Sequence, residues 1–126
     1  MEDEKDNLIV ILAGYPKEMD YFLQTNPGLK SRFPIQAEFE DYSLEELIKI
    51  AKLMAQEREY SLSSSAKAKL YQHLAEIRRN AGVEEGNART VRNLIERGIR
   101  KQALRLVEQK GITKEDLITL TRDDLI

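Results

Sequence analysis

Ser43-Leu44-Glu45-Glu46-Leu47-Ile48-Lys49-Ile50-Ala51-Lys52-Leu53-Met54-Ala55 sets the character of this chain. Ser43, followed three positions later by Glu46, reads as a capping box: the hydroxyl accepts the Glu46 N–H and the carboxylate returns to the Ser43 N–H. Behind it, Leu44, Leu47, Ile48, Ala51, Met54 and Ala55 recur at helical spacing. They line one stripe of a helix that reaches to about residue 58. Such a stripe needs partners, and the downstream sequence supplies them. Ser63 can cap a second helix with the stripe Ala66, Leu70, Leu74 and Ile77, and Gly82 suits its C-terminal stop. Asn87 can cap a third, with Val91, Leu94, Ile95, Ile99 and Leu106 inward and Gly111 beyond its end. Thr113-x-x-Asp116 opens a last short helix around Leu117, Ile118 and Leu120. Residues 43–126 therefore read as a bundle of about four helices with its own core.

Upstream the pattern changes. Leu8-Ile9-Val10-Ile11-Leu12-Ala13 is a continuous apolar run closed by Gly14-Tyr15-Pro16. That is the signature of a parallel strand covered on both faces. Pro16 can begin a helix, because its missing N–H would be unpaired there anyway. Met19, Phe22 and Leu23 give helical spacing over 17–25, and Asn26-Pro27-Gly28 ends it. Ile35, Ala37 and Phe39 alternate with Gln36 and Glu38, the pattern of a second short strand. The expected fold class is α+β but mostly helical: a strand–helix–strand portion over 1–42, then a helical domain over 43–126.

Composition narrows the function classes. The 126 residues suit one domain, or one domain and part of another. There is no cysteine, which excludes disulfide and thiolate chemistry and points to a cytoplasmic location. His73 is the only histidine, so no zinc-ligand set is available and no metal site is expected. The longest apolar run, Leu8 to Ala13, is far too short to cross a bilayer. Met1-Glu2-Asp3-Glu4-Lys5-Asp6 is acidic where a signal peptide would carry a basic flank.

The net charge of −2 hides an asymmetry. Residues 1–59 carry 7 basic and 13 acidic side chains, whereas 87–110 carry 7 basic and 2 acidic. The basic stretch is either a surface that meets an anion or a solvated helix face. Aromatics are few and not interleaved with the basic residues, so a single-strand nucleic-acid platform lacks its stacking surface.

Four residues could carry phosphate chemistry. Tyr15 stands where the apolar run ends, the edge at which open α/β sheets bind ligands. It is equally an aromatic anchor for the turn. Arg32 follows the Pro27-Gly28 turn, and a guanidinium there can bind a phosphate bidentately or simply decorate a loop. Arg89 and Arg92 share a face on the first turns of the third helix. Cations at a helix N-terminus oppose the macrodipole, which suggests either an anionic partner or pairing with Glu84 or Glu85. The adjacent carboxylates Glu45-Glu46, Glu84-Glu85 and Asp123-Asp124 read as caps or solvated charge. No Gly-x-x-x-x-Gly-Lys-Ser/Thr loop occurs in the chain.

Leu8–Tyr15, Asn26–Phe33, Phe39-Glu40-Asp41-Tyr42 and Gly86-Asn87-Ala88-Arg89-Thr90-Val91-Arg92-Asn93 together resemble the C-terminal half of an AAA+ ATPase. The branch is the one that contains stage V sporulation protein K and the red-type Rubisco activase, and the resemblance covers roughly residues 1–110. It implies a role for each candidate. Tyr15 falls at the sensor-1 position, where these proteins often carry Asn. Arg32 matches the arginine finger that acts in trans, and Arg89 the sensor-2 arginine of the lid, with Arg92 as a helper. It implies ATP and Mg²⁺ in the parent protein, with none tightly bound to this stretch. It also implies a homo-oligomeric, hexameric ring that remodels a protein client of unknown identity.

The Walker A loop and the strand ending in Asp-Glu are absent, and Met1-Glu2-Asp3 resembles the end of the helix after that strand. The chain is thus expected to enter the fold at the penultimate strand of the ATPase sheet. In that sheet the Walker A strand lies between the two strands read here. This stretch is then expected to be inactive alone. The other reading is a free-standing helical interaction module whose basic helix binds an acidic protein or nucleic acid.

Overall fold

The computed structural model describes residues 7–125, so Met1-Glu2-Asp3 lies outside the described residues. The chain divides into two compact units, Met1–Glu40 and Asp41–Ile126.

In the first unit, helix α1 spans Pro16–Thr25 and α2 spans Leu29–Arg32. Pro16 occupies the first turn of α1 and the extended backbone of Tyr15 precedes it. At the other end Asn26 Nδ2 donates to the Phe22 carbonyl at 2.8 Å, taking up an acceptor the helix leaves open. Gly28, at φ +88°, then turns the chain into α2 through a left-handed conformation that L side chains avoid. Leu23 is buried, and Met19, Leu29 and Phe33 are half-buried. Arg32 thus closes a helical turn, where the sequence suggested a loop.

The two flanking apolar segments differ from their sequence reading. Neither Leu8–Ala13 nor Ile35–Phe39 pairs into a sheet among the described residues. Ile9 is 88% exposed and Phe39 91%. The cause is physical: a strand is defined by a neighbour that satisfies its N–H and C=O groups, and an isolated pair is marginal. An apolar run records the environment a segment is suited to, not whether a partner is present.

The second unit contains α3 (Leu44–Glu57), β1 (Ser61–Leu62), α4 (Ser64–Ala81), α5 (Ala88–Val107), α6 (Lys114–Ile118) and β2 (Thr119–Leu120). A 3₁₀ turn at Arg122–Asp124 follows. Its helix starts are written locally. Ser43 Oγ accepts the Glu46 N–H at 3.1 Å and Glu46 Oε1 accepts the Ser43 N–H at 3.0 Å. Ser63 Oγ caps α4 through the Ala66 N–H at 3.1 Å. Thr113 and Asp116 form a second reciprocal box at 3.0 and 3.1 Å.

Helix α3 packs against both α4 and α5. The core joins Leu47, Ala51 and Ala55 of α3 to Ala66, Leu70 and Leu74 of α4 and Val91, Leu94 and Ile95 of α5. Leu62, Leu120 and Leu125 complete it, so the tail is part of the core.

That tail departs from the sequence reading in two respects. Leu120 lies in β2 rather than in the last helix, parallel to β1 with Leu62 opposite it. The Ser63 N–H extends the pairing by donating to the Leu120 carbonyl at 3.1 Å. Asp124, read as a cap or solvated charge, does cap the Thr121 turn, but it is 1% exposed rather than solvated. Its two oxygens accept Nε and one terminal nitrogen of Arg105, each at 3.1 Å, and Oδ2 also accepts the Thr121 N–H at 2.9 Å. Gly98 permits this closure: a Cβ there would sit 2.9 Å from Leu125 Cδ2 and 3.2 Å from the Asp124 carbonyl oxygen. Buried Gln102 supports α6 by donating to the carbonyls of Asp116 and Leu117 at 3.0 and 2.9 Å.

Candidate functional site

The site forms where α4 ends and α5 begins. Gly82, at φ +93°, terminates α4 in a conformation open to glycine. Three successive carbonyls in the loop that follows are each held by a side chain. Asn87 Nδ2 donates to the Glu84 carbonyl at 2.5 Å, Thr90 Oγ1 donates to that of Glu85, and Arg78 Nε donates to that of Gly86 at 2.8 Å. Asn87 Oδ1 meanwhile accepts the N–H groups of Arg89 and Thr90 at 3.0 and 3.2 Å. The loop entering α5 is therefore pinned at every residue from Glu84 to Asn87.

Arg89 and Arg92 project from the first turns of this fixed helix end, and both are exposed. Neither pairs with Glu84 or Glu85; the ion pairs among the described residues are Arg58–Glu96 and Arg105–Asp124. Arg92 lines a depression of about 90 Å³ together with Met54, Glu57, Arg58, Ile95 and Glu96. A pocket for a cofactor-sized ligand needs roughly 300–1,000 Å³. That depression therefore cannot enclose a nucleotide.

The helix end also constrains how an anion could be recognised. Helix N-termini usually bind phosphate with free backbone N–H groups. Here the Arg89 and Thr90 amides are already taken by Asn87 Oδ1, and the Val91 N–H by the Asn87 carbonyl at 3.1 Å. Recognition falls to the guanidinium groups, which are always charged and can form a bidentate fork on phosphate. The residues present fit one face of a phosphate group. They do not fit a metal: among the described residues no cluster of three or more His, Asp or Glu side chains could hold one.

Tyr15 and Arg32 belong to the first unit. Tyr15 precedes α1 and is 65% exposed, and its carbonyl accepts the Met19 N–H at 2.8 Å. Arg32 closes α2 and is exposed. Its N–H donates to the Gly28 carbonyl at 3.3 Å, and the guanidinium makes no hydrogen bond among the described residues.

Arg78 was not legible as a site residue. A basic residue in the last turn of a helix looks like a complement to the macrodipole and nothing more. The signal that could have found it is Gly86. A Cβ there would lie 2.8 Å from Arg78 Cγ, so the glycine makes room for the arginine stem.

The bundle closed by a parallel strand pair, with α5 opening on two exposed arginines, defines a class that comparison with known proteins identifies. Residues 43–126 match the family model described as AAA lid domain, and the chain belongs to this family of AAA+ proteins. Stage V sporulation protein K of Bacillus subtilis (strain 168) is 48% identical over 126 residues, covering 99% of this chain and 39% of that protein. The chloroplastic ribulose bisphosphate carboxylase/oxygenase activase of Cyanidioschyzon merolae is 39% identical over 128 residues, covering all of this chain and 43% of that protein. The plasmid-encoded protein CbxX of Cupriavidus necator is 41% identical over 128 residues, covering 40% of its length. The chain thus spans about two fifths of the curated relatives it matches. No helix among the described residues is long and apolar enough to cross a membrane.

Proposed function

We propose that this chain supplies the nucleotide-sensing and lid portion of a cytoplasmic AAA+ ATPase that uses ATP and Mg²⁺ to remodel a protein client. The observation that carries the reading is Arg89. It is an exposed guanidinium with no ion pair among the described residues, on a helix end whose preceding loop is held at each residue. In this role Arg89 contacts the γ-phosphate of nucleotide bound by its own subunit, and Arg92, one turn on, assists. In the full-length protein Tyr15, at the end of the apolar Leu8–Ala13 segment, orients water or touches phosphate. Arg32 acts across a subunit boundary as the arginine finger of a homo-oligomeric, hexameric ring.

The client is a protein; one relative is named for its action on ribulose bisphosphate carboxylase/oxygenase. Nucleic acid plays no part in this reading. The match to the lid family favours it over a free-standing interaction module.

The test is made in the full-length protein that carries this chain. Arg89→Ala is expected to cut the preference for an ATP analogue over ADP by about 10- to 100-fold, since a hydrogen bond to a charged group is worth about 1.5–3 kcal/mol. An unchanged ratio removes Arg89 from the sensor role. The 126-residue chain by itself is expected to turn over no ATP, because the phosphate-cradling loop and the Mg²⁺-holding acid are not in its sequence. Turnover above a blank by a contaminant-free preparation contradicts that.

A further inference from the structure

One guanidinium in the lid bonds to two stretches of chain that are far apart in sequence. Arg78, on the last turn of α4, donates through Nε to the Gly86 carbonyl at 2.8 Å and through a terminal nitrogen to the Tyr42 carbonyl at 2.6 Å. Gly86 belongs to the pinned loop that ends at the cap of α5. Tyr42 is the second residue of the lid unit, immediately before the Ser43 cap of α3. Arg78 therefore joins the segment by which the chain enters the lid to the segment that sets the position of Arg89.

The fit is specific to arginine. Its planar fork presents donors in fixed relative directions, so two carbonyls on different segments are held at a set separation. Lysine is a point charge on a flexible stem and holds no such separation. Gly86 is buried, and a Cβ would come within 2.8 Å of Arg78 Cγ and 3.4 Å of the Leu74 carbonyl oxygen. The glycine and the arginine stem thus occupy one close contact. The neighbouring Arg79 is exposed and makes no comparable bond among the described residues.

We infer that Arg78 is a positioning residue for the nucleotide response. It acts through the Gly86–Asn87 loop to fix Arg89 and links that arginine to the path of the chain at Tyr42. The inference rests on the sensor reading of Arg89 above. It makes two demands. Loss of the Arg78 bridge must loosen the start of α5 without unfolding the lid, and it must blunt the nucleotide response only by way of Arg89.

The first demand is measured on the 126-residue chain by amide hydrogen exchange. Arg78→Lys, Arg78→Ala and Gly86→Ala are each expected to speed exchange at the Arg89 and Thr90 amides by about tenfold. Exchange at the Ser63 amide, which donates to Leu120 across the strand pair, stays unchanged. The second is measured in the full-length protein as the affinity ratio between a non-hydrolysable ATP analogue and ADP. Arg78→Lys and Gly86→Ala are expected to lower that ratio by about tenfold, and combining either with Arg89→Ala adds nothing, because coupled residues are non-additive. Arg79→Ala serves as the neutral control.

If Arg89→Ala lowers the ratio but Arg78→Lys and Gly86→Ala leave it intact, or lower it additively with Arg89→Ala, the positioning role is overturned and the sensor reading stands. If Arg89→Ala itself has no effect, both fall. Unchanged exchange at Arg89 and Thr90 overturns the inference on its own, and so does exchange that rises equally at Ser63.

Discussion

At the scale of single residues, the lid is held by carboxylates that accept bonds from their own helix starts. The Ser43 backbone N–H, then its hydroxyl, hold Glu46 below the usual carboxylate range. The Thr113 backbone N–H, then its hydroxyl, do the same for Asp116, with help from Gln109 and Arg105. Glu45 is lowered by its own backbone N–H and then by the Tyr71 hydroxyl, which donates to it at 3.1 Å. Glu45 and Glu46 are exposed and Asp116 is half-buried, so solvent screens the charges and each effect is small. The sign follows from linkage. A carboxylate depressed in the folded state contributes stability above its unfolded pKa of about 4, and that contribution is lost as pH falls through the lower folded value. The urea midpoint is therefore expected to hold between about pH 7 and 5 and to fall below about pH 4. Glu46→Gln combined with Asp116→Asn should flatten that fall; an equally steep loss in the double variant would mean other groups govern acid unfolding.

At the scale of elements, the features written in neighbouring residues were legible and the features written at a distance were not. The capping residues Ser43, Ser63, Asn87 and Thr113 each act within three positions of themselves, so the helix starts could be read directly. The two-residue strands carry no alternation long enough to detect, and their pairing joins segments far apart in the lid sequence. The burial of Asp124 likewise depends on Arg105 and on the missing side chain of Gly98. Among the candidate residues, Arg89 and Arg92 stand three apart on the first turns of α5, and both are exposed. The bridge made by Arg78 could not be read, since Tyr42 and Gly86 are remote from each other in the chain. Three helices alone are therefore an incomplete core. Deleting residues 111–126 is expected to uncover Leu62 and its neighbours and remove the Asp124 pair. A large-to-small change at one buried leucine already costs about 2–5 kcal/mol. The deletion should accordingly give a lid with a broad, weakly cooperative melt, where the longer form melts sharply. A sharp transition at the same temperature would show that the tail is decoration.

At the scale of the whole molecule, the two units carry different amounts of their own support. The lid unit buries a continuous core, whereas Leu23 is the one buried hydrophobic described in the first unit. The apolar residues of Leu8–Leu12, with Ile35 and Phe39, are left exposed as surface that suits a larger sheet. If that sheet belongs to a ring subunit, Arg32 works on a neighbour. In the full-length protein Arg32→Ala is expected to lower hydrolysis by about 10³–10⁵-fold while nucleotide affinity stays near its starting value. Mixing those subunits with subunits that cannot bind the metal should restore part of the rate. Full activity in the single variant would take Arg32 out of the site.

The parallel strand pair has a further consequence for how the lid is made. During synthesis β1 emerges early and waits for β2, which is among the last segments of the lid to be translated. Contacts so distant in the chain form late, after the local helices have collapsed. Until β2 has emerged, Leu62 of β1 lacks its partner Leu120 and stays open to chaperones, and the arrival of Thr119–Leu120 lets the strand pair close.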